Sequence, residues 1–268
     1  MKIFVVCDPE GTAGVVDMRK QCALEGPYYL QARKMATLEL NALVEGALEG
    51  GATEVVAWDG HCNFPAGIDV ELLHPACKLV MGAGDEGPQG LDESFDALFQ
   101  LGLHAMAGSS RAVLAHSFTP HIAECNVNGM PVGEIWMNTY LAGSYDVPFV
   151  FISGDKAAAG EAKAIVPDVE SVVVKEGLSP DPVSLFKVAP AISLAPEKAR
   201  EVIREGAKRA MSKIDKIKPY KIESPFTCRT RFLDPKYAER AKSLPGVKLI
   251  DAVTAEIERK DHPWVVIL

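Results

Sequence analysis

Two acids stand two residues apart near the head of the chain, in Asp8-Pro9-Glu10-Gly11. They follow a short apolar run. In an extended segment positions i and i+2 project the same way, so both carboxylates can reach one ion. Gly11 and Gly14 permit close backbone turns around them. Alone the pair is ordinary, because acids followed by glycine are common in loops. His61, in Trp58-Asp59-Gly60-His61, and His104, in Leu101-Gly102-Leu103-His104, each follow an apolar run with a glycine close before them. A single histidine in such a place is more often a hydrogen-bonded core or loop residue. Two at equivalent strand ends, beside an acid pair, favour a metal centre. Glu134, in Val132-Gly133-Glu134, supplies a fifth donor, although an acid opening a helix also interacts favourably with the helix dipole.

Three carboxylates and two imidazoles suit a pair of Zn2+ ions with one bridging carboxylate. Mg2+ and Ca2+ fit less well, since both prefer oxygen ligands. Two metals close together lower the pKa of a shared water, polarise a carbonyl and hold a free amine. That is the chemistry of peptide hydrolysis at an N-terminus. His116, in Ala115-His116-Ser117, suits protonation of a leaving amine or stabilisation of an oxyanion. A buried imidazole bonded to a carbonyl explains its context equally well. Cys62 beside His61 is a weaker, soft-ligand candidate. His74 reads as structural, and His121 and His262 as surface residues.

These groups need a scaffold that brings them to one edge. Apolar, β-forming runs predict strands over 3–7, 54–58, 78–81, 97–103 and 149–153. Helical spacing covers 28–48, closed by Gly50-Gly51, then 133–143 and 156–165. An Asn-Gly signal marks a hairpin tip at 127–131. This alternation predicts an α/β fold with a mostly parallel sheet flanked by helices. In such sheets functional residues gather beyond the carboxyl ends of strands. Asp8 and Glu10, Asp59 and His61, and His104 all fall there. The remainder reads differently: a strand over 171–175, a Pro-rich loop over 178–190, an amphipathic helix over 196–216, and antiparallel strands over 219–232 and 247–258. It predicts a smaller C-terminal α+β unit. The expected division is a metal-binding catalytic domain over 1–156 and an α+β region over 157–268 packed in oligomer contacts.

Composition narrows the function. The 268 residues are 48% hydrophobic and 24% charged, with a formal charge of −8. No long basic run exists, which argues against nucleic-acid binding. No apolar stretch approaches the roughly 18–20 residues that cross a bilayer, which argues against a membrane protein. The first residues do not read as a signal peptide, and the six cysteines lack CxxC spacing. A cytoplasmic protein with reduced thiols is expected. His-Glu-x-x-His, Gly-x-Ser-x-Gly, a P-loop and a GxGxxG turn are all absent, and Gly82-Ala83-Gly84 lacks the third glycine.

The ordered motifs resemble the M55 peptidase family, the D-aminopeptidases. Asp8-Pro9-Glu10-Gly11-Thr12-Ala13-Gly14 is similar to the family's D-x-E-G-x-x-G opening. Asp59-Gly60-His61, Leu73-His74-Pro75 and Gly102-Leu103-His104 follow in family order, then Ala115-His116-Ser117, the Asn128-Gly129 to Gly133-Glu134 element, Tyr145-Asp146-Val147-Pro148 and Ser153-Gly154-Asp155. The match covers most of the chain and is strongest over 1–156. It implies two zinc ions per chain, with Asp8 bridging, Glu10 and His61 completing one site, His104 and Glu134 the other, and His116 catalytic. It implies action on short peptides or aminoacyl amides, with D-residues among them, and a homo-oligomeric ring-like assembly, a decamer. Lys156, the stretch 178–195 and the C-terminus depart from the family pattern, which bears on substrate choice and subunit packing. A two-metal hydrolase of other small amides and a non-catalytic metal-binding protein are the competing readings. A phosphoesterase is disfavoured because no cluster of Arg or Lys flanks the ligands.

Overall fold

The computed structural model describes residues 1–61, 66–82 and 87–267. Its first half alternates strand and helix: β1 (Lys2–Cys7), α1 (Tyr29–Glu49), β2 (Glu54–Asp59), β3 (Cys77–Val80), β4 (Ala97–Leu103), β5 (Ile122–Val127), β6 (Met130–Val132), α2 (Glu134–Ser144) and β7 (Phe149–Asp155). There follow α3 (Lys156–Ile165), β8 (Glu170–Gly177), β9 (Ala191–Ser193), α4 (Pro196–Met211), β10 (Phe226–Phe232), α5 (Pro235–Ala241), β11 (Lys248–Leu249) and β12 (Thr254–Arg259).

Seven strands form one sheet in the order β3-β2-β1-β4-β7-β8-β9. All neighbours run parallel except β9, which is antiparallel to β8. The central strands β4 and β7 are buried at every position, as expected of a parallel sheet covered on both faces. The connection from β1 runs to β2 and β3 on one side, then crosses to β4 on the other. This leaves a topological switch point beside β1, the usual place for a site in an open α/β sheet.

Local chemistry sets the helices. The Asp155 carboxylate caps α3 by accepting from the Ala158 amide at 2.7 Å. Pro196 opens α4, where its fixed φ suits the first turn. The apolar stripe of α4 (Ala199, Ile203, Ala207 and Ala210) is fully buried. α4 crosses α1 closely at Gly46, where an added Cβ would lie 2.1 Å from the Arg204 carbonyl oxygen.

The second sheet is antiparallel, ordered β11-β12-β10-β5-β6. β5 and β6 form the hairpin expected at 127–131. Its Asn128 and Gly129 have φ of +52° and +84°, the pair of left-handed residues that a two-residue turn requires. This sheet has its own apolar core around Trp136, Phe226, Cys228 and Phe232.

The division expected at residue 156 does not coincide with the sheets. The large sheet takes β8 and β9 from beyond it, and the small sheet takes β5 and β6 from before it. Parallel strands pair through distant crossovers, so the composition change near 156 marks no boundary between sheets. His121 and His262 are half-buried rather than on the surface: His121 stacks on Tyr237 at 4.1 Å, and the His262 Nδ1 is enclosed. Cys62 and the Ala83-Gly84 pair lie outside the described residues.

Candidate metal centre

Parallel pairing of β2, β1 and β4 carries Asp8 and Glu10, His61 and His104 to the same edge. β1 lies between the other two strands, so Asp8 stands between the two histidines. One of its oxygens, Oδ1, is 3.3 Å from His61 Nδ1, and the other, Oδ2, is 3.4 Å from His104 Nε2. Glu10 Oε1 approaches His61 Nδ1 to 3.0 Å. Glu134, the first residue of α2, reaches in from the small-sheet side, with Oε1 3.6 Å from His104 Nε2 and 3.9 Å from His116 Nε2. The His116 ring stacks on that of His104 at 3.9 Å. All six residues singled out in the sequence thus meet in one place. They form two groups whose ligand atoms lie within 4.8 Å of each other: Asp8, Glu10 and His61, and His104, His116 and Glu134.

Each imidazole is pinned in the same manner. His61 Nε2 contacts the Cys22 carbonyl at 2.8 Å, His104 Nδ1 the Ala105 carbonyl at 3.0 Å, and His116 Nδ1 the Leu114 carbonyl at 2.9 Å. A carbonyl only accepts, so the proton belongs on that nitrogen and the opposite nitrogen faces the carboxylates, where a cation would meet its lone pair. This second contact is what orients metal-ligating histidines generally. The loop that carries His116 is held in tension. Leu114 and Phe118 have φ of +57° and +61°, a region costly for bulky residues. Each makes a bond at the site: Leu114 through its carbonyl to His116, and Phe118 through its amide, which donates to Glu134 Oε1 at 2.6 Å.

The donor set fits a cation. Asp8 Oδ1, Glu10 Oε2 and His104 Nε2 are buried with no hydrogen-bond donor or acceptor among the described residues, an expensive state for polar atoms that converge on one space. The electrostatics agree. Burial opposes ionisation of Asp8, but its contacts with Glu10, His104 and His61 prevail and hold the carboxyl well below the usual range. Glu134 is likewise opposed by burial, yet His104, His116 and the Phe118 amide bring it down to about 2. Burial disfavours a charged His104, but Glu134 and Asp8 raise its affinity for positive charge well above normal. His116 goes the other way, kept neutral by burial and by its neighbour His104. Mixed carboxylate and imidazole donors around an electron-rich centre match Zn2+ better than an all-oxygen metal.

Close backbone packing sets the geometry. The Gly11 amide donates to the Gly102 carbonyl at 2.6 Å. A Cβ on Gly102, whose φ is +72°, would lie 1.9 Å from the Asp8 carbonyl oxygen. Asp59 is committed elsewhere: its carboxylate accepts from the amides of Gly67 and Ile68 at 2.9 and 2.8 Å. His74 has a local role, its Nδ1 accepting from the Ala76 amide at 3.1 Å. The sequence reading also missed a π-helical turn over Met18–Cys22, which delivers the Cys22 carbonyl to His61. It missed Lys175, a buried lysine inside an apolar strand, although a charge within Val172-Val173-Val174-Lys175 was a visible signal.

Two cavities meet at Asp8 and Glu134. One, of about 280 Å3, is walled by Met18, Cys22, Leu185 and Phe186 and opens on His116. The other, of about 220 Å3, is walled by Trp58, Met137 and Trp264. A small substrate can therefore lie across the carboxylates with room on both sides.

Comparison with known proteins bears directly on this arrangement. A family model described as D-aminopeptidase, peptidase M55, matches residues 1–266. A D-aminopeptidase of Bacillus subtilis (strain 168) is 32% identical over 271 residues, covering 97% of this chain and 92% of that protein. Among solved structures, the Zn-dependent D-aminopeptidase DppA from Bacillus subtilis, described as a self-compartmentalizing protease, matches with a TM-score of 0.87 at 31% identity, over 97% of this chain and 92% of that one. With the family match running almost end to end, the chain belongs to the M55 family of D-aminopeptidases.

Proposed function

We propose that this chain is a zinc-dependent aminopeptidase that removes the N-terminal residue of short peptides, D-residues among them, at a centre of two zinc ions. The observation that carries the reading is the Asp8 carboxylate, which offers one oxygen to the His61 side and the other to the His104 side. Asp8 would be shared, Glu10 and His61 would complete one site, and His104 and Glu134 the other. A zinc pair bound there supplies Lewis acidity and water activated near neutral pH.

The chain's own residues do the remaining work. The three backbone carbonyls hold the imidazoles in one tautomer and one orientation. His116, neutral and with Nε2 turned to Glu134, is placed to take up a proton and return it to the departing amine. The two cavities receive the residues on either side of the scissile amide and shield it from bulk water. Five described cysteines are free thiols, in keeping with a cytoplasmic location. The description of the solved relative as self-compartmentalizing supports a homo-oligomer, of which a ring-based decamer is the form proposed.

The test is metal analysis of purified protein, paired with hydrolysis of matched D- and L-aminoacyl amides, short peptides and phosphoesters. Two zinc ions per chain, preference for the D-amide and loss of turnover on chelation are expected. Activity on phosphoesters alone, or turnover insensitive to chelators, would refute the reading. His116→Ala should keep both ions and lose at least about a hundredfold in kcat. A fall to one ion would make His116 a ligand instead. Light scattering reads the assembly directly.

A further inference from the structure

Lys175 stands near the end of β8 and is only 2% exposed. Its Nζ donates to three backbone carbonyls, those of Glu10, Thr12 (3.0 Å) and Val15 (2.5 Å). An ammonium has three N–H groups, so its capacity is used in full, and none of it goes to a carboxylate. Burial of an unpaired ammonium costs several kcal/mol in general. A methionine would fill the same space without that cost. What the lysine adds is convergence: three carbonyls spread over six residues of loop are drawn to one point.

That loop carries the acid pair. Its amides are tied elsewhere: Asp8 to the Leu101 carbonyl, Gly11 to the Gly102 carbonyl, Ala13 to Glu39 Oε1 and Gly14 to Ser193 Oγ. Lys175 takes the opposite polarity, the carbonyls, and it does so from a strand separated from β1 by β4 and β7. The carbonyl of Glu10 is fixed in this way, and its carboxylate lies 3.0 Å from His61 Nδ1. The second group, His104 with Glu134, hangs from β4 and α2 and has no bond to Lys175.

We propose that Lys175 is a positioning residue for one metal-binding group only, setting Glu10 against His61 by gathering the carbonyls of residues 10, 12 and 15. This rests on the two-zinc reading above. The experiment is chelator competition and zinc stoichiometry on the intact protein, for the parent, Lys175→Met and Val174→Ala. Val174 adjoins Lys175 on the same strand, is 1% exposed and bonds nothing in the loop through its side chain, so it controls for a generally weakened β8.

The expected result is one tight zinc in Lys175→Met, with the other bound about 10- to 100-fold more weakly. Val174→Ala should keep both at parental affinity. With zinc in excess, kcat should fall in Lys175→Met and KM should hold. Two zinc ions at parental affinity in Lys175→Met, or equal weakening of both sites, would overturn the proposal. A parent that binds fewer than two ions would instead refute the two-zinc reading. If Lys175→Met does not fold, Lys175→Arg carries the same test: its planar guanidinium cannot converge on three carbonyls as an ammonium does, so the same selective loss is expected and parental binding overturns the idea.

Discussion

Asp8 contacts both imidazoles, and its consequences at the scale of single residues differ from those of its neighbours. Asp8→Asn keeps the shape and one good donor oxygen but removes the charge both sites share. Zinc content should drop toward zero, whereas Glu134→Ala should lose one ion and keep the other. Metal analysis after dialysis distinguishes the two, and equal losses would mean that Asp8 serves only one site. Glu39 offers a second test. It is buried beneath the loop, and burial lifts its carboxyl to about 7 against the Ala13 amide, Lys175 and Arg200, which all favour the ion. A pKa higher in the folded state means that folding is favoured where the group is protonated. That stability is full below an unfolded value of about 4.3 and lost as pH rises through about 7. Glu39→Gln removes the titration, so between pH 4.5 and 8 its unfolding free energy should gain on the parent by on the order of 3 kcal/mol. Urea melts at the two pH values measure this, and parallel curves would refute it. The five proposed ligands were legible because each is an acid or histidine within three residues of a glycine, at the end of an apolar run or the start of a helix. Lys175 was not, because its partners lie 160 to 165 positions away. Asp59 shared the ligands' local signature, but two backbone amides claimed it first.

At the scale of elements, the centre depends on how closely β1 and β4 end. Gly102→Ala puts a side chain at left-handed φ, a penalty of about 1–2 kcal/mol, and drives it into the Asp8 carbonyl. The variant should lose more than about 3 kcal/mol of stability, or fold with Asp8 displaced and zinc binding impaired. Chemical denaturation and metal analysis read the two outcomes, and a parental profile in both would be contrary. The long parallel strands and α1 were readable from apolar runs and helical spacing. The Asn-Gly hairpin was readable from turn chemistry. The π-helical turn at Met18–Cys22 and the short strands β9 and β11 carry too few residues for a period, and they exist because tertiary contacts hold them. The pairing of β5 with β10 joins residues about a hundred positions apart, which no local pattern announces.

At the scale of the molecule, the proposed ligands come from two sheets. Asp8, Glu10, His61 and His104 follow strands of the large sheet, while Glu134 follows β6 of the small one. Each sheet has its own apolar core, and Tyr220 and Ile165 pack against both. Zinc bound there would act as a rivet through two plates that also share α2, whose Ile135 and Ala142 pack in one core and Trp136 and Met137 in the other. A ligand held only by the folded state at a hundred to a thousand times its Kd adds about 3–4 kcal/mol, and here that increment falls on the joint. Chelation should then do more than lower the melting temperature. Calorimetry of the stripped protein should show the single transition broadening or dividing as the plates come apart one before the other, and zinc should weld it back. An enzyme built this way registers the loss of its metal as a loss of mechanical unity, before any peptide arrives to be cut.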